Sequence, residues 1–363
     1  MDNQVADIKD NSIKIASSGK GSDHYVQFGG LRGFATTLVV LNHCNLIIHG
    51  GGFANAIFFV LSGFLIINPF KERSEERFMS LWGILRFYGS RAVRIIPGYY
   101  LVLVLMRIQT GYYWITKEEF ISLFCFTEIW GHFWFIFSYF WITFFIPYIM
   151  LLFLLAAKKI KALKNDLVCS VIFYLMAGII RIIVLRLDVF DNRLDQLMIG
   201  IGAGYLCRYI RNNERFKRSI SQHKVIGDVI ILFTVFVMFL ISSRNILDLI
   251  SPGLGDTSFG WKYLFLSAVM MSILVVLICL FNQGLSARLF SFTPLVFVGK
   301  LSYYIYLINY LLALQFRPNS DVFWFICVFS VSIVLSYILD SVISSVVKFF
   351  KNRLKQSRSL TGS

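Results

Sequence analysis

Two ionisable residues, Arg32 and His43, lie eleven positions apart in the first long apolar run of the chain, residues 31–48. Eleven residues of α-helix turn through roughly 1100°, so the two side chains share one helix face, roughly 16 Å apart along the axis. Charged side chains at the centre of a membrane cost about 2.5 to 3.5 kcal/mol, which makes a retained ionisable group a functional candidate. A neutral imidazole near mid-membrane can accept a proton. The alternative is a hydrogen-bonded polar residue in a bundle, with Arg32 extending its guanidinium to the interface.

A second pair of arginines, Arg91 and Arg94, has the spacing of one helix face. Topology places both at the same membrane edge as Arg32. Guanidinium groups bind phosphate through a planar fork of several donors. Three arginines at one edge therefore indicate a clamp for a phosphorylated ligand whose reactive end reaches into the membrane. An ordinary cluster of cytoplasmic positive charge is the alternative.

The run Phe58-Phe59-Val60-Leu61-Ser62-Gly63 occupies the second apolar segment. Gly50, Gly51 and Gly52 precede it and predict a short turn after the first segment. The first two segments should then form an antiparallel hairpin that brings Ser62 toward the helix of His43. Because Ser and Gly also allow helices to approach closely in lipid, a packing role is the alternative for Ser62 and Gly63.

The composition is that of an all-α integral membrane protein. Hydrophobic residues make up 57% of the chain, charged residues 15% and aromatic residues 17%, and the mean hydropathy is +0.69. Segments long enough to cross a membrane predict a bundle of about ten transmembrane helices. The predicted spans are 31–49, 53–70, 94–110, 132–156, 167–187, 194–210, 225–243, 262–282, 294–315 and 321–349.

Most of the 35 lysines and arginines lie in the N-terminal segment, the even-numbered loops and the C-terminal tail. The positive-inside rule then places both termini in the cytoplasm. The net charge of +15 is thus mostly a topology signal, and we expect no nucleic-acid partner. We expect a polar cytoplasmic tail over 1–27, a transmembrane domain over 28–350 and a short basic tail over 351–363. The six cysteines are scattered without metal-ligand spacing, so no metal site is expected.

Polar and aromatic residues near the opposite edge suit a sugar or another hydroxyl-bearing acceptor. Glu128 lies on an outer loop with several aromatic residues, and an interfacial aromatic belt is the alternative for that loop. Asp195 opens the sixth segment beside Arg193, where a structural ion pair and a site role remain equally open. The loop's aromatic residues are Tyr112, Tyr113, Trp114, Trp130 and Trp134.

Several short motifs follow one another between about residues 28 and 315. They are Leu31-Arg32-Gly33-Phe34-Ala35, Val39-Val40-Leu41-Asn42-His43, the Phe-Phe-x-x-Ser-Gly run at 58–63, Arg-x-x-Arg at 91–94, His132-Phe133-Trp134-Phe135-Ile136, Arg193-Leu194-Asp195-Gln196-Leu197 through Gly200, and Gly299-Lys300-Leu301-Ser302-Tyr303 with Tyr306-Leu307-Ile308-Asn309. Together and in this order they resemble the membrane acyltransferase-3 family. The family's Arg-x10-His pattern falls on Arg32 and His43.

The resemblance implies an O-acyltransferase that moves an acyl group, most often acetyl, from cytoplasmic acetyl-CoA to a hydroxyl of a cell-envelope glycan. Such an acceptor would be the O-antigen of lipopolysaccharide, an exopolysaccharide or a lipid-linked saccharide, modified at a bacterial inner membrane. His43 would act as general base or carry the acyl group briefly. The expected donor-binding residues are Arg32, Arg91, Arg94, Phe58, Phe59, Ser62 and Gly63. The residues expected on the acceptor side, or in structural roles, are Trp134, Glu128, Arg193, Asp195, Ser302, Tyr306 and Asn309.

The chain departs from the family pattern at three places. Gly29 stands where members often carry Asp, Ser138-Tyr139-Phe140 fill a region where many have Glu, and Asn309 replaces a late His. A non-catalytic polysaccharide translocator on the same fold is the main alternative function. A structural or sensory partner of envelope enzymes is a third.

Overall fold

The structure, a computed structural model, describes residues 26–46, 50–71, 73–108, 115–128, 131–187, 193–241, 249, 257–281 and 284–360. Regular structure in these ranges is helical throughout. The helices are α1 (Val26–His43), α2 (Gly50–Ile67), α3 (Leu81–Ile108), α4 (Lys117–Phe124), α5 (Trp134–Lys159), α6 (Asp166–Leu187), α7 (Leu194–Asn212), α8 (Glu214–Gln222), α9 (Lys224–Ile241), α10 (Thr257–Leu280), α11 (Leu285–Phe290), α12 (Thr293–Gln315) and α13 (Asp321–Leu360). Three 3-10 turns join them, at Ser74–Met79, Gly131–Phe133 and Lys161–Lys164.

Each of the ten predicted spans overlaps one helix of at least 18 residues. Four segments in the described part of the chain are long and apolar enough to cross a membrane: Trp134–Lys159, Asp166–Val184, Thr293–Gln315 and Asp321–Phe349. The protein is therefore a multi-pass integral membrane protein, whereas ten crossings and cytoplasmic termini stay predictions. Residues 1–25 of the expected tail over 1–27 lie outside the described residues, as do the loop aromatics Tyr112, Tyr113, Trp114 and Trp130. The last two tail residues, Val26 and Gln27, already belong to α1.

Helix α7 forms the centre of the bundle, and nearly every residue from Asp195 to Tyr205 is buried. Glycines allow α2 to lie directly against it. A Cβ atom on Gly63 would lie 2.1 Å from the carbonyl oxygen of Leu197, and one on Gly200 would lie 2.0 Å from that of Val60. Because no side chain fits there, the two backbones are in contact, as small residues permit in membrane bundles.

Helix α12 packs against α1 in the same way, and the two helices run in the same direction. A Cβ atom on Gly33 would lie 1.9 Å from the carbonyl oxygen of Leu295, and one on Gly299 would lie 1.8 Å from that of Gly29. Gly29, which replaces the family's Asp, would itself place a Cβ atom 3.2 Å from Val296 Cγ1. The small residue at position 29 thus suits the close contact between α1 and α12.

We call the end of the bundle at which α1 begins and α2 ends the basic end. A buried ion cluster fixes the chain there. Arg208 donates to Glu75 Oε1 and Oε2 at 2.8 and 2.9 Å and to Asp166 Oδ1 and Oδ2 at 2.7 and 2.9 Å. This one guanidinium therefore joins the turn after α2 to the start of α6 and the end of α7. Removing either carboxylate would weaken the pairing of the buried Arg208 charge, which is costly.

We predict that Gly299→Ala destabilises the protein, because its methyl group would collide with the carbonyl oxygen of Gly29. Overpacking of this kind costs about 1–3 kcal/mol, and more where backbone must move. Thermal unfolding of the detergent-purified protein measures the loss. Gly178→Ala on α6 is the matched control, since its Cβ atom would meet nothing within 4 Å. An equal loss of stability in both variants would contradict the proposed contact.

Candidate active site

A cavity of about 320 Å³ lies between α1, α2, α3, α5 and α12 toward the basic end. Its walls are largely apolar and aromatic, with polar groups at a few positions. The lining residues are Arg32, Asn55, Phe58, Leu61, Ser62, Leu65, Ser90, Arg91, Arg94, Ile95, Phe135, Ile136, Tyr139, Ser302, Tyr303 and Tyr306. We call it the central cavity. Size, apolar walls and few convergent polar groups are typical of a small-molecule site.

The central cavity is lined by the three arginines that the sequence analysis predicted to bind phosphate, Arg32, Arg91 and Arg94. Arg32 donates from Nη2 to Ser302 Oγ at 3.2 Å, which joins α1 to α12 at this level. Arg91 lies with its guanidinium 3.7 Å above the ring of Phe87, which holds it by a cation–π contact. Arg94, one turn further along α3, is exposed. Three cations around one cavity can bind a polyanion.

Tyr139 completes this end of the central cavity, and the sequence analysis gave it no role. Its hydroxyl faces Ser62 and Arg91 within hydrogen-bonding reach, and Arg94 lies close enough to act on it electrostatically. Tyr139 occupies part of the region where many family members carry Glu. The one available signal was that departure, because helical spacing alone does not tell which side of α5 faces the arginines.

A second, more open cavity of about 920 Å³ adjoins the first. The two share Ser90, Arg94 and Tyr303, and the second adds basic residues from three helices. These are Arg86, Lys300 and Lys348, of which Lys300 lies 3.6 Å from Asp340 Oδ2. We call it the basic cavity. It extends the cationic surface beyond Arg94, which the sequence analysis did not foresee.

His43 lies in the last turn of α1 and is half-buried. Its Nδ1 lies 2.5 Å from Asn309 Oδ1. The Asn309 amide nitrogen donates to the carbonyl oxygens of Ile305 at 2.6 Å and Tyr306 at 3.0 Å, so its Oδ1 must be the acceptor toward the ring. A neutral His43 therefore carries its proton on Nδ1 and leaves Nε2 free to accept one. Asn309, placed by the resemblance on the acceptor side, thus orients the candidate base.

The position of His43 differs from the predicted one. The apolar run was expected to stay helical to residue 49, with His43 near its middle, but α1 ends at His43 and the chain turns at Asn45, whose φ is +59°. Asn adopts this left-handed conformation more readily than most residues. His43 is not one of the described residues that line the central cavity. It lies beyond it, since Tyr306 lines the cavity and Asn309 follows one turn later on the same face of α12.

Two residues expected to bind the donor pack between helices instead. Gly63 lies against the backbone of Leu197 and does not line the central cavity. Phe59 is fully buried, with its ring 4.8 Å from that of Phe135. Phe58 and Ser62, on the other side of α2, do line the cavity. Gly63 and Phe59 thus pack between helices, while Phe58 and Ser62 remain candidates for donor binding.

The polar residues at the far end form a separate group. Asp195 is fully buried and pairs with Arg181, whose Nη2 lies 2.6 Å from Asp195 Oδ2. Arg193 lies 5.0 Å above the ring of Trp134. Sequence proximity suggested Arg193 as the main partner of Asp195, but the close salt bridge comes from α6. Glu128 is exposed and lines none of the cavities described above.

Comparison with known proteins gives one match. The family model described as "Acyltransferase domain" matches residues 25–341, which is most of the chain. No curated protein and no solved structure matches with significance. The matched range contains every helix that lines the central cavity. The chain belongs to the membrane acyltransferase-3 family.

Proposed function

We propose that this acyltransferase moves an acetyl group from cytoplasmic acetyl-CoA to a hydroxyl of a cell-envelope glycan, such as O-antigen or an exopolysaccharide, at a bacterial inner membrane. The observation that carries the proposal is the central cavity, with three arginines at the basic end and His43 held by Asn309 just beyond its other end. Membership of the acyltransferase family supports the acyl transfer itself, and acetyl-CoA and the glycan are part of the proposal.

The charge distribution supports a donor with several phosphates. Arg32, Arg91 and Arg94 line the central cavity, and Arg94 also opens onto the basic cavity with Arg86 and Lys300. Bidentate arginine contacts and lysine point charges both suit phosphate oxygens. In this proposal the nucleotide occupies the basic cavity, and the pantetheine arm extends along the apolar walls of the central cavity.

The two ends are far enough apart to need such an arm. Arg32 and His43 are separated by eleven residues of α1, or about 16 Å along the helix axis. A donor held at its phosphates therefore reaches His43 only through a long extended chain. Acyl phosphates and other compact donors do not span that separation.

His43 then acts as the general base. Its Nε2 takes the proton of the acceptor hydroxyl while that oxygen attacks the thioester carbonyl carbon. The carbon–sulfur bond breaks, and the leaving sulfur receives the proton from Nε2, which restores the neutral imidazole. A transient acyl group on Nε2 is the other route that this arrangement allows. In both routes Asn309 keeps the Nδ1 proton in place.

We predict that His43→Ala lowers acetyl transfer by about 10²–10⁴-fold, the usual contribution of a general base. Transfer from labelled acetyl-CoA to isolated envelope glycan is measured with the purified protein in lipid nanodiscs. His223→Ala is the control, because His223 is exposed and lies between α8 and α9. Wild-type transfer by His43→Ala would reject the catalytic role.

We predict that Arg91→Ala raises the KM for acetyl-CoA about 10- to 100-fold, since a charged hydrogen bond contributes about 1.5–3 kcal/mol. The KM for the acceptor should change little. Arg73→Ala is the control, because Arg73 is exposed and forms a surface ion pair with Glu76. A larger effect on the acceptor than on the donor would count against the phosphate clamp.

We predict that Asn309→Leu lowers kcat about tenfold or more while both KM values change little, because Nδ1 loses its acceptor and the ring its fixed tautomer. Asn309→Asp keeps the acceptor toward Nδ1 and loses only the amide donors to the carbonyls of Ile305 and Tyr306, so it should retain more activity than Asn309→Leu. Steady-state kinetics of the two variants test this. Equal loss in both would show that the amide does not act through the histidine.

A further inference from the structure

One face of α2 lines the central cavity with Asn55, Phe58, Ser62 and Leu65, spaced three, four and three residues apart. Asn55 is the member nearest the start of the helix and had no role in the sequence analysis. Its side chain is buried, with 8% of the residue exposed, and its Oδ1 accepts no hydrogen bond from any described residue. A buried amide oxygen without a donor costs free energy, so a group that donates to it is expected in the cavity.

Asn55 lies between the arginines and His43. It precedes Ser62 by seven residues, which places it about 10 Å further from the basic end. Ser62 lies beside Tyr139 and Arg91. Since α1 ends and α2 begins at the same end of the bundle, Asn55 is displaced from the arginines toward the end that holds His43.

The surroundings of Asn55 indicate what kind of group it meets. Phe58, Phe135, Ile136 and Tyr306 line the same cavity, and their surfaces are mainly apolar. A sugar would leave several hydroxyl groups unpaired against them, which is costly. A slender apolar chain with an occasional amide fits better. A carboxamide offers one acceptor beside two donors, which matches the N–H and C=O of a secondary amide.

We propose that Asn55 binds the amide of the pantetheine arm nearest the thioester and so directs the acyl group toward His43. This rests on the proposed function, because it assumes a pantetheine thioester as donor. It assigns Asn55 as a donor-binding residue that acts independently of the phosphates. It also explains why a buried polar residue lies on this helix face beyond the arginines.

The experiment compares two donors in Asn55→Leu, Arg91→Ala and wild type. Acetyl-CoA carries phosphates and both amides, whereas the acetyl thioester of N-acetylcysteamine lacks phosphates and keeps only the amide nearest the sulfur. We expect Asn55→Leu to lower kcat/KM about tenfold with both donors, since one hydrogen bond to a buried polar group is lost. Arg91→Ala should lower it with acetyl-CoA alone. Ser332→Ala, a buried serine on α13 outside both cavities, is the control.

Thermal unfolding without donor separates this role from a structural one. Because Asn55 Oδ1 has no donor among the described residues, Asn55→Leu should unfold at or above the wild-type temperature. A clear fall would assign Asn55 to folding and overturn the proposal. So would an unchanged kcat/KM with the cysteamine donor, or a raised KM for the acceptor alone. If the wild type transferred acetyl from neither of the two thioesters, the proposed function itself would instead be rejected.

Discussion

Backbone contact between α1 and α12 is the constraint on which the candidate site depends. Gly33 on one helix and Gly299 on the other leave no room for a Cβ atom, so the two backbones meet directly. Direct contact fixes the relative height of the helices, since a shift along the axis would bring larger side chains between them. At that height Arg32 meets Ser302 and His43 meets Asn309. The anion-binding and proton-accepting groups are therefore held apart by the same two helices.

The second set of glycine contacts gives the site its other wall. Gly63 and Gly200 hold α2 against the buried helix α7, and the opposite face of α2 then borders the central cavity with Phe58 and Ser62. The motif at 58–63 thus has two functions on two sides of one helix. One side fixes α2 in the bundle, and the other is available to a ligand. The Arg208 cluster holds the end of α2 at the basic end in the same rigid frame.

The cavity combines apolar walls with cations at one end only. Such a gradient suits a ligand that is charged at one end and neutral along its length. In the proposed function, the phosphates of an acyl-CoA would stay near water, where neutralising them costs least desolvation, while the arm would enter the apolar part. An acceptor hydroxyl would approach His43 from the other end. The proposed function thus places its two substrates at opposite ends of one cavity.

Sequence patterns predicted the site unevenly. The spacing of Arg91 and Arg94 and their charge correctly placed both with Arg32 at one end, because helix periodicity and charge are local properties. The first helix ends at His43 and not at the predicted residue 49, because the apolar residues after it gave no sign of the turn at Asn45. Gly63 was assigned to the donor, but either side of α2 was compatible with its spacing. Asn55 lacked a signal and Tyr139 had only the departure at 138–140, since the position of each in the cavity depends on the helices opposite it.

The amino-acid sequence by itself determined the membrane class, the helical segments, the ionisable residues within them and the family. These follow from hydropathy, periodicity and motifs that neighbouring residues encode. Only the tertiary structure decided which helix faces meet. It paired His43 with Asn309, which leaves Nε2 as the nitrogen that can accept a proton. It also joined Arg181 to Asp195 and enclosed Asn55 in the cavity. The reason is steric: contacts between distant segments depend on how glycine surfaces fit together, and that fit is a property of the assembled bundle.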